Sequence, residues 1–300
     1  MKSYKMLLNE AAKKSQILKE LSPEELVSLN KCLLGILKDI ASLCEKNDLT
    51  YMLGGGSCLG AIRHQGFIPW DDDLDLLMPR PDYDKFIDLL DKGCMGDRYS
   101  YTYPSKHADS PSMFLKVYKK NTVMMGLGGE DSPFPNEVFI DVFPLEGYPK
   151  SFFIQRIKGV IANLLRLCAN MVAESRPLNV RQKEFYSSDK DLYRMVKARR
   201  VVGKALSIIP HKFWVCWFDS LVRNPDMTGM VNIPTGRKLY NGEVFPASLL
   251  VNTIRTFFEG VDVPIPQGYD QYLKNLYGDY MIIPPLEERE RHFYTSLVLN

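Results

Sequence analysis

The chain is 300 residues long with 45% apolar and 11% aromatic side chains, enough to bury a substantial core and incompatible with intrinsic disorder. Its net charge of +2 is unevenly spread: residues 151–223 hold fourteen basic and five acidic side chains, a local balance of +9 that leaves −7 for the rest. Six scattered cysteines (Cys32, Cys44, Cys58, Cys94, Cys168, Cys216) form no C-x-x-C pair and are expected to be reduced, and neither the charged amino terminus nor the run FFIQRIKGVIANLLRLCANMVA has the unbroken apolar stretch of a signal peptide or a membrane span.

In chain order, LSPEELVSLNKCLLGILKDIASLCEKNDL is the clearest helix. Ser22 is its N-cap, Pro23 takes the first helical position, Glu25 closes a capping box, and Leu26, Leu29, Leu33, Ile36, Ile40 and Leu43 form one stripe. LTYML reads as a strand running into Gly54-Gly55-Gly56-Ser57, and SCLGAIRH as a short helix opening at Ser57. DLDLLM, 73–78, is a strand stopped by Pro79 and Pro81, and DYDKFIDLLDKG is an amphipathic helix with Gly93 past its end. Strands are expected at 113–118, 122–125 and 137–143. Pro144 and Pro149 then mark a boundary, 151–223 is helical and basic, and shorter pieces follow to a helix at YDQYLKNLYGDY. The expected organisation is a core over 1–150, a helical subdomain over 151–223, and a carboxyl-terminal segment over 224–300 that packs back on the core.

Chemistry concentrates in WDDDLDLL. Alternate residues of a strand share a face, so Asp73 and Asp75 project the same way about 6.6 Å apart at Cα, while Leu74 and Leu76 point into the core. Like charges this close repel unless a cation lies between them, and hard oxygen ligands select Mg²⁺ or Mn²⁺. For Asp71 and Asp72 a solvated turn at the strand's entry is an equal alternative. Asp141 is similarly placed: Val138, Ile140 and Val142 line one face of its strand, and Asp141 stands between Phe139 and Phe143 on the other. On a neighbouring strand it serves either as third metal ligand or as the base that takes a proton from an attacking hydroxyl. The strand-to-helix turn at Gly55, Gly56 and Ser57 offers backbone N–H groups and a positive dipole end to a phosphate, with a simple tight turn as the alternative. Arg63 and His64 stand where they can neutralise charge on a diphosphate.

GGGSCLGAIRHQGFIPWDDDLDLLMPRPDYDKF, followed by FIDVFPLEGYP and YLKNLYGDYMIIPP, resembles the LicD family of phosphotransferases within the nucleotidyltransferase superfamily, which also includes fukutin-type proteins. The resemblance implies an α/β (α+β) fold, a nucleotidyltransferase-like mixed β-sheet flanked by helices, here with an inserted helical subdomain. It implies a site opened by Gly56-Ser57, with Asp73 and Asp75 on one strand and Asp141 as the third acid, binding Mg²⁺ or Mn²⁺. It also implies transfer of phosphocholine or another substituted phosphate from a CDP-linked donor to a hydroxyl of a glycan, teichoic acid or lipid-linked sugar. For a choline cargo, Trp70, Tyr277 and Tyr280 are candidates for an aromatic cage, with core packing as the alternative. Arg291 and His292 fall where the family carries a basic residue and a histidine; with four histidines and no cysteine spacing to match, His292 is expected on the surface.

The basic stretch 151–223, including Arg199, Arg200 and Lys204, reads as a solvated helical face or as a peripheral contact with a membrane, placing the protein in the cytoplasm, on the membrane's inner face if the second reading holds. No module for nucleic acid accompanies the charge. Two other functional classes compete with the transferase: a D-x-D sugar-nucleotide glycosyltransferase, which does not need the third acid, and a non-catalytic binding module.

Overall fold

The computed structural model describes residues 4–289 and 292–299, so Arg291 lies outside the described residues. The elements run α1 (Tyr4–Lys14), α2 (Pro23–Lys46), β1 (Met52–Leu53), α3 (Gly55–His64), β2 (Asp75–Pro79), α4 (Arg80–Asp91), β3 (Tyr99–Thr102), β4 (Leu115–Lys119), β5 (Val123–Met125) and β6 (Val138–Gly147). Four helices follow, α5 (Phe152–Glu174), α6 (Val180–Ser187), α7 (Lys190–Leu206) and α8 (His211–Val222). The chain closes with β7 (Met230–Asn232), β8 (Val244–Pro246), α9 (Ala247–Leu250), β9 (Thr253–Phe258), β10 (Val261–Pro266), α10 (Tyr269–Tyr277) and β11 (Ser296–Val298).

The main sheet runs in the order β1-β2-β6-β4-β3 and is extended by β7 and β8 beside the end of β6. Only β2 and β6 pair in parallel within it; their neighbours are antiparallel, which makes the sheet mixed. Leu76, Leu77, Val138, Ile140 and Val142 are essentially inaccessible and pack with the buried stripe of α2, Leu29, Leu33, Ile36 and Ile40. The α2 capping box forms as expected: the Glu25 N–H donates to Ser22 Oγ at 3.2 Å and the Ser22 N–H to Glu25 Oε2 at 2.9 Å.

Three boundaries differ from expectation. Helix α3 starts at Gly55, not Ser57, with Gly54 as N-cap, so two of the glycines lie inside its first turn. Strand β2 starts at Asp75, although the alternation of burial continues back through Leu74 and Asp72. Strand β6 continues through Pro144 to Gly147: β4 leaves its side after Val142, and β7 takes over at Glu146 and Gly147. Proline is tolerated in a strand where a ladder is not continuous on both sides, so Pro144 bridges two pairings instead of ending the domain.

Helices α5 to α8 carry their own apolar contacts, Ala162 and Ala169 against Val215, Phe218 and Val222. Arg199 forks onto Glu174 at 2.6 and 2.7 Å, and Arg200 donates to the carbonyls of Glu174 and Arg176, so both cations are used to close the carboxyl end of α5. Among the described residues no helix is long and apolar enough to cross a membrane. The six cysteines are free thiols; Cys94 is exposed and Cys168 partly so.

Candidate functional site

The register of the parallel pair sets Asp75 directly beside Asp141. Each is the alternate residue that leaves an otherwise apolar strand on the non-core face, so the two carboxyls meet on one side of the sheet. Asp71, Asp73 and Asp75 follow one another at spacing two and all three line a single cavity of ≈ 500 Å³, together with Gly55, Gly56, Tyr277, Arg166, Arg237 and His292. Asp71 therefore belongs to the site and not to a solvated turn. Burial pushes the carboxyls of Asp71 and Asp75 well above the ordinary range, and the neighbouring carboxylates push further: Asp73 and Asp72 on Asp71, and Asp73, Asp141 and Asp71 on Asp75. Burial also raises Asp141, opposed by Lys116, which is its partner across β4 and hydrogen-bonds its Oδ1. The Lys116 ammonium sits 3.7 Å from the centre of the Phe139 ring.

The glycines are needed because the carboxylates come so close. A Cβ on Gly55 would stand 3.0 Å from Asp75 Oδ2, and Gly55 has φ +46, a left-handed conformation that side chains disfavour; one on Gly56 would stand 2.8 Å from Asp71 Oδ2. The first turn of α3 thus lies directly against the acids. Its N–H groups are partly committed: Gly55 N–H donates to Tyr272 Oη at 3.0 Å and Gly54 N–H to the Asp75 carbonyl at 2.9 Å. Ser57 is buried, and its Oγ accepts from the Asp75 N–H at 2.9 Å. Ser57 therefore positions the strand that carries the acid.

Asp72 faces the opposite way and is buried, which overturns the turn reading for it. Its Oδ1 takes the Nδ1 of His292 at 2.6 Å and its Oδ2 the hydroxyl of Tyr294 at 2.9 Å. The hydrogen bond to Asp72 holds the His292 imidazole up at about 9. His292 is half exposed, yet it is a wall of the carboxylate cavity and not a surface bystander. Asp72, Asp73 and His292 offer oxygen and nitrogen atoms within 4.8 Å of one another. Both oxygens of Asp72 and the Nδ1 of His292 already satisfy each other and Tyr294, so this group is a hydrogen-bonded brace first.

Fit to a divalent ion follows from the donor set. Asp71, Asp73 and Asp75 are hard oxygen donors around one cavity, they repel one another, and the two glycines keep the space beside them clear. To hold Mg²⁺ or Mn²⁺ these three would have to draw closer together, since among the described residues the donors within 4.8 Å of one another are Asp72, Asp73 and His292; Asp141, expected as third ligand or base, stands beside Asp75 on the adjoining strand and does not line the cavity.

Of the remaining candidates, Arg63, Trp70 and Tyr280 border a second cavity of ≈ 630 Å³ that shares Gly56, Asp71, Arg237 and Tyr277 with the first, whereas His64 lines neither. Arg63 Nη1 donates to the carbonyls of Tyr280, at 2.8 Å, and Ile282, at 3.3 Å, and its Nε donates to His64 Nε2 at 2.9 Å. Burial lowers both Arg63 and His64 from their ordinary values. Arg63 ties α3 to the carboxyl-terminal segment at the cavity wall. Trp70 has the Arg289 guanidinium over its ring at 4.1 Å, Tyr280 donates to Asp270 at 2.9 Å, and Tyr277 lies beside Gly55. Lys116, Tyr272, Arg166 and Arg237 escaped sequence reasoning. Lys116 left a signal, a lone cation in the apolar strand FLKVY; the other three join the site from distant elements and left none.

A mixed sheet flanked by helices, with acids at adjacent register on its parallel pair beside a helix that opens on glycines, is the α/β architecture expected from the sequence. The family model described as LicD/FKTN/FKRP, nucleotidyltransferase domain, matches residues 48–153. Lipopolysaccharide cholinephosphotransferase LicD of Haemophilus influenzae is 28% identical over 280 residues, 91% of this chain and 95% of that protein. Shorter matches reach uncharacterised proteins of Rickettsia typhi, 44% identical over 55 residues and 18% of each chain, and Rickettsia prowazekii, 41% identical over 73 residues and 24% of each chain.

Proposed function

We propose that the protein transfers phosphocholine, or another substituted phosphate, from a CDP-linked donor to a hydroxyl of a glycan or lipid-linked sugar. The observation that carries this reading is the convergence of acids from two strands, Asp75 beside Asp141 with Asp71 and Asp73 on the same cavity, against the glycine-started helix. The similarity to a lipopolysaccharide cholinephosphotransferase over nine-tenths of the chain supports the cargo and the acceptor class.

In this reading the acceptor oxygen attacks the distal phosphorus, a new P–O bond forms, the bond to the bridging oxygen breaks, and cytidine monophosphate leaves. A divalent ion held by Asp71, Asp73 and Asp75 supplies neutralisation of the diphosphate charge. Asp141 accepts the proton of the attacking hydroxyl: burial raises its affinity for a proton, and Lys116 occupies one of its two oxygens. The cargo lies in the cavity of Trp70, Tyr277 and Tyr280, where a quaternary ammonium must displace Arg289 from the Trp70 face.

The test is a donor panel: purified protein, Mg²⁺, and cytidine diphosphate or sugar-nucleotide compounds. Release of nucleoside monophosphate is expected; release of nucleoside diphosphate would mean a glycosyltransferase, and no release with any donor a binding module.

The acceptor class bears on the helical segment. On α5, Phe153, Ile157, Val160 and Leu164 form one helical stripe exposed at 71%, 43%, 68% and 56%, with Arg156 and Lys158 in its first turns. With Arg199 and Arg200 occupied by the fold, these cations and the apolar stripe match an anionic bilayer surface. Anionic phospholipid vesicles are expected to co-sediment the protein and zwitterionic ones not, with loss of binding in Val160→Glu/Leu164→Glu. A stripe covered instead by a second copy would show as a dimer that this variant dissociates, and would overturn the membrane contact.

A further inference from the structure

One wall of the carboxylate cavity carries two guanidinium groups, Arg166 and Arg237. Arg166 reaches it from the middle of α5, the first helix of the helical segment. Among the described residues its guanidinium makes one hydrogen bond, Nη1 to the Gly236 carbonyl at 3.0 Å, and burial lowers its proton affinity against the nearby charge of Glu243. Beside it Thr235 is 5% exposed, and its hydroxyl has no hydrogen-bond partner among the described residues. An unsatisfied buried hydroxyl is destabilising and calls for a ligand or another reason. Arg237, from the same loop, lines both cavities and lies over the Tyr277 ring at 5.7 Å. Glu243, the carboxylate on this wall, is itself buried and accepts the Lys238 N–H at 2.8 Å, which fixes the loop.

We propose that Arg166, Thr235 and Arg237 form an anion subsite that binds a phosphate of a diphosphate ligand, across the same cavity from Asp71, Asp73 and Asp75. A diphosphate needs cationic donors for the oxygens that an ion among the carboxylates does not reach, and a planar guanidinium with unused N–H groups suits a phosphate. Helix α5 thereby becomes part of the site: it delivers Arg166 to a cavity otherwise built from the sheet and the segments leading into it, the first turn of α3 and the carboxyl-terminal third. The nature of the ligand rests on the transfer reading above; the existence of the subsite does not.

Isothermal titration of the full chain with inorganic pyrophosphate, with and without Mg²⁺, tests it. Arg166→Gln and Arg237→Gln are expected to weaken binding about tenfold or more, and Arg166→Lys to restore part of the loss. Thr235→Val removes the unpartnered hydroxyl at nearly constant volume, so it is expected to keep or raise the melting temperature while weakening pyrophosphate about fivefold. If Arg166→Gln fails to fold, Thr235→Val decides alone. No pyrophosphate binding by the wild type, or affinities unchanged in the folded variants, would overturn the subsite. A donor panel without turnover alongside arginine-dependent pyrophosphate binding would instead sink the transfer reading and leave the subsite standing.

Discussion

The two ends of one parallel strand pair treat charge in opposite ways. Where β2 and β6 begin to pair, Asp75 and Asp141 stand side by side with Asp73 and Asp71 nearby, and burial raises three of these carboxyls above their ordinary range. Where the pair ends, Arg80 and Glu146 are both inaccessible and directly bonded; Arg80 also reaches Asp219 at 2.8 Å and Asp84 at 3.4 Å and lies over the Tyr83 ring at 4.8 Å. The second cluster balances charges of opposite sign and ties α4, β6 and α8 together. The first concentrates charges of one sign, opposed by Lys116 on Asp141 and by the His292 imidazole on Asp71 and Asp141, and an added ion would relieve it further. A fold that can satisfy buried charge at one end of a strand pair and leaves it unsatisfied at the other marks the unsatisfied end as functional.

The comparison breaks most sharply at Asp75. Asp75→Asn keeps the shape of the side chain and removes a charge that the site needs and the fold does not. Transfer is expected to fall at least about a thousandfold, or about 4 kcal/mol in barrier, while the melting temperature of the metal-free protein stays or rises. Activity within tenfold of wild type would remove Asp75 from the reaction.

The next effect lies at the other end and has the opposite character. Arg80→Met leaves Glu146 buried without its cation, which costs about 3–5 kcal/mol of stability. Arg80→Met/Glu146→Leu removes both charges and is expected to recover much of that loss, because apolar residues of similar volume often replace a buried pair without penalty. Urea unfolding of the two variants measures it. Equal instability of single and double variants would show that Asp219 and Asp84, not Glu146, set the cost.

These two clusters also divide what the sequence discloses. Asp73, Asp75 and Asp141 are visible because a carboxylate at an alternate position of an apolar strand breaks a period-two pattern, and Ser22 to Glu25 because capping is local. Arg80 follows a proline at the end of a strand, where a cation looks ordinary; its burial depends on Glu146 and Asp219, 66 and 139 residues away. Asp71 and Asp72 could have been separated by parity alone, since Asp71 shares the alternation of Asp73 and Asp75, but an acidic cluster at a strand's entry is as often a solvated turn. Arg166 and Thr235 carried no local signal, because the wall they form is made by tertiary packing of an insertion. The continuation of β6 past Pro144 was hidden for the same reason: only the exchange of β4 for β7 makes a proline acceptable there.

The smallest expected effect is the pH dependence of the contrast. A carboxyl whose folded value is raised favours its protonated form in the native state, so its contribution to stability is fully present below the ordinary 3.8 and is lost as pH rises through the folded value. For Asp75 the loss is at most about 1.4 kcal/mol per pH unit for one proton. Metal-free wild type should therefore lose stability relative to Asp75→Asn as the pH is raised from 4, and the gap should widen until the cluster is fully ionised. An ion that competes with those protons binds better at higher pH, so Mg²⁺ or Mn²⁺ should close the gap more at pH 8 than at pH 5. Parallel stability curves for the two proteins without metal would mean that the acids at this end of the strand pair are as well satisfied as those around Arg80, and the contrast on which the functional assignment rests would disappear.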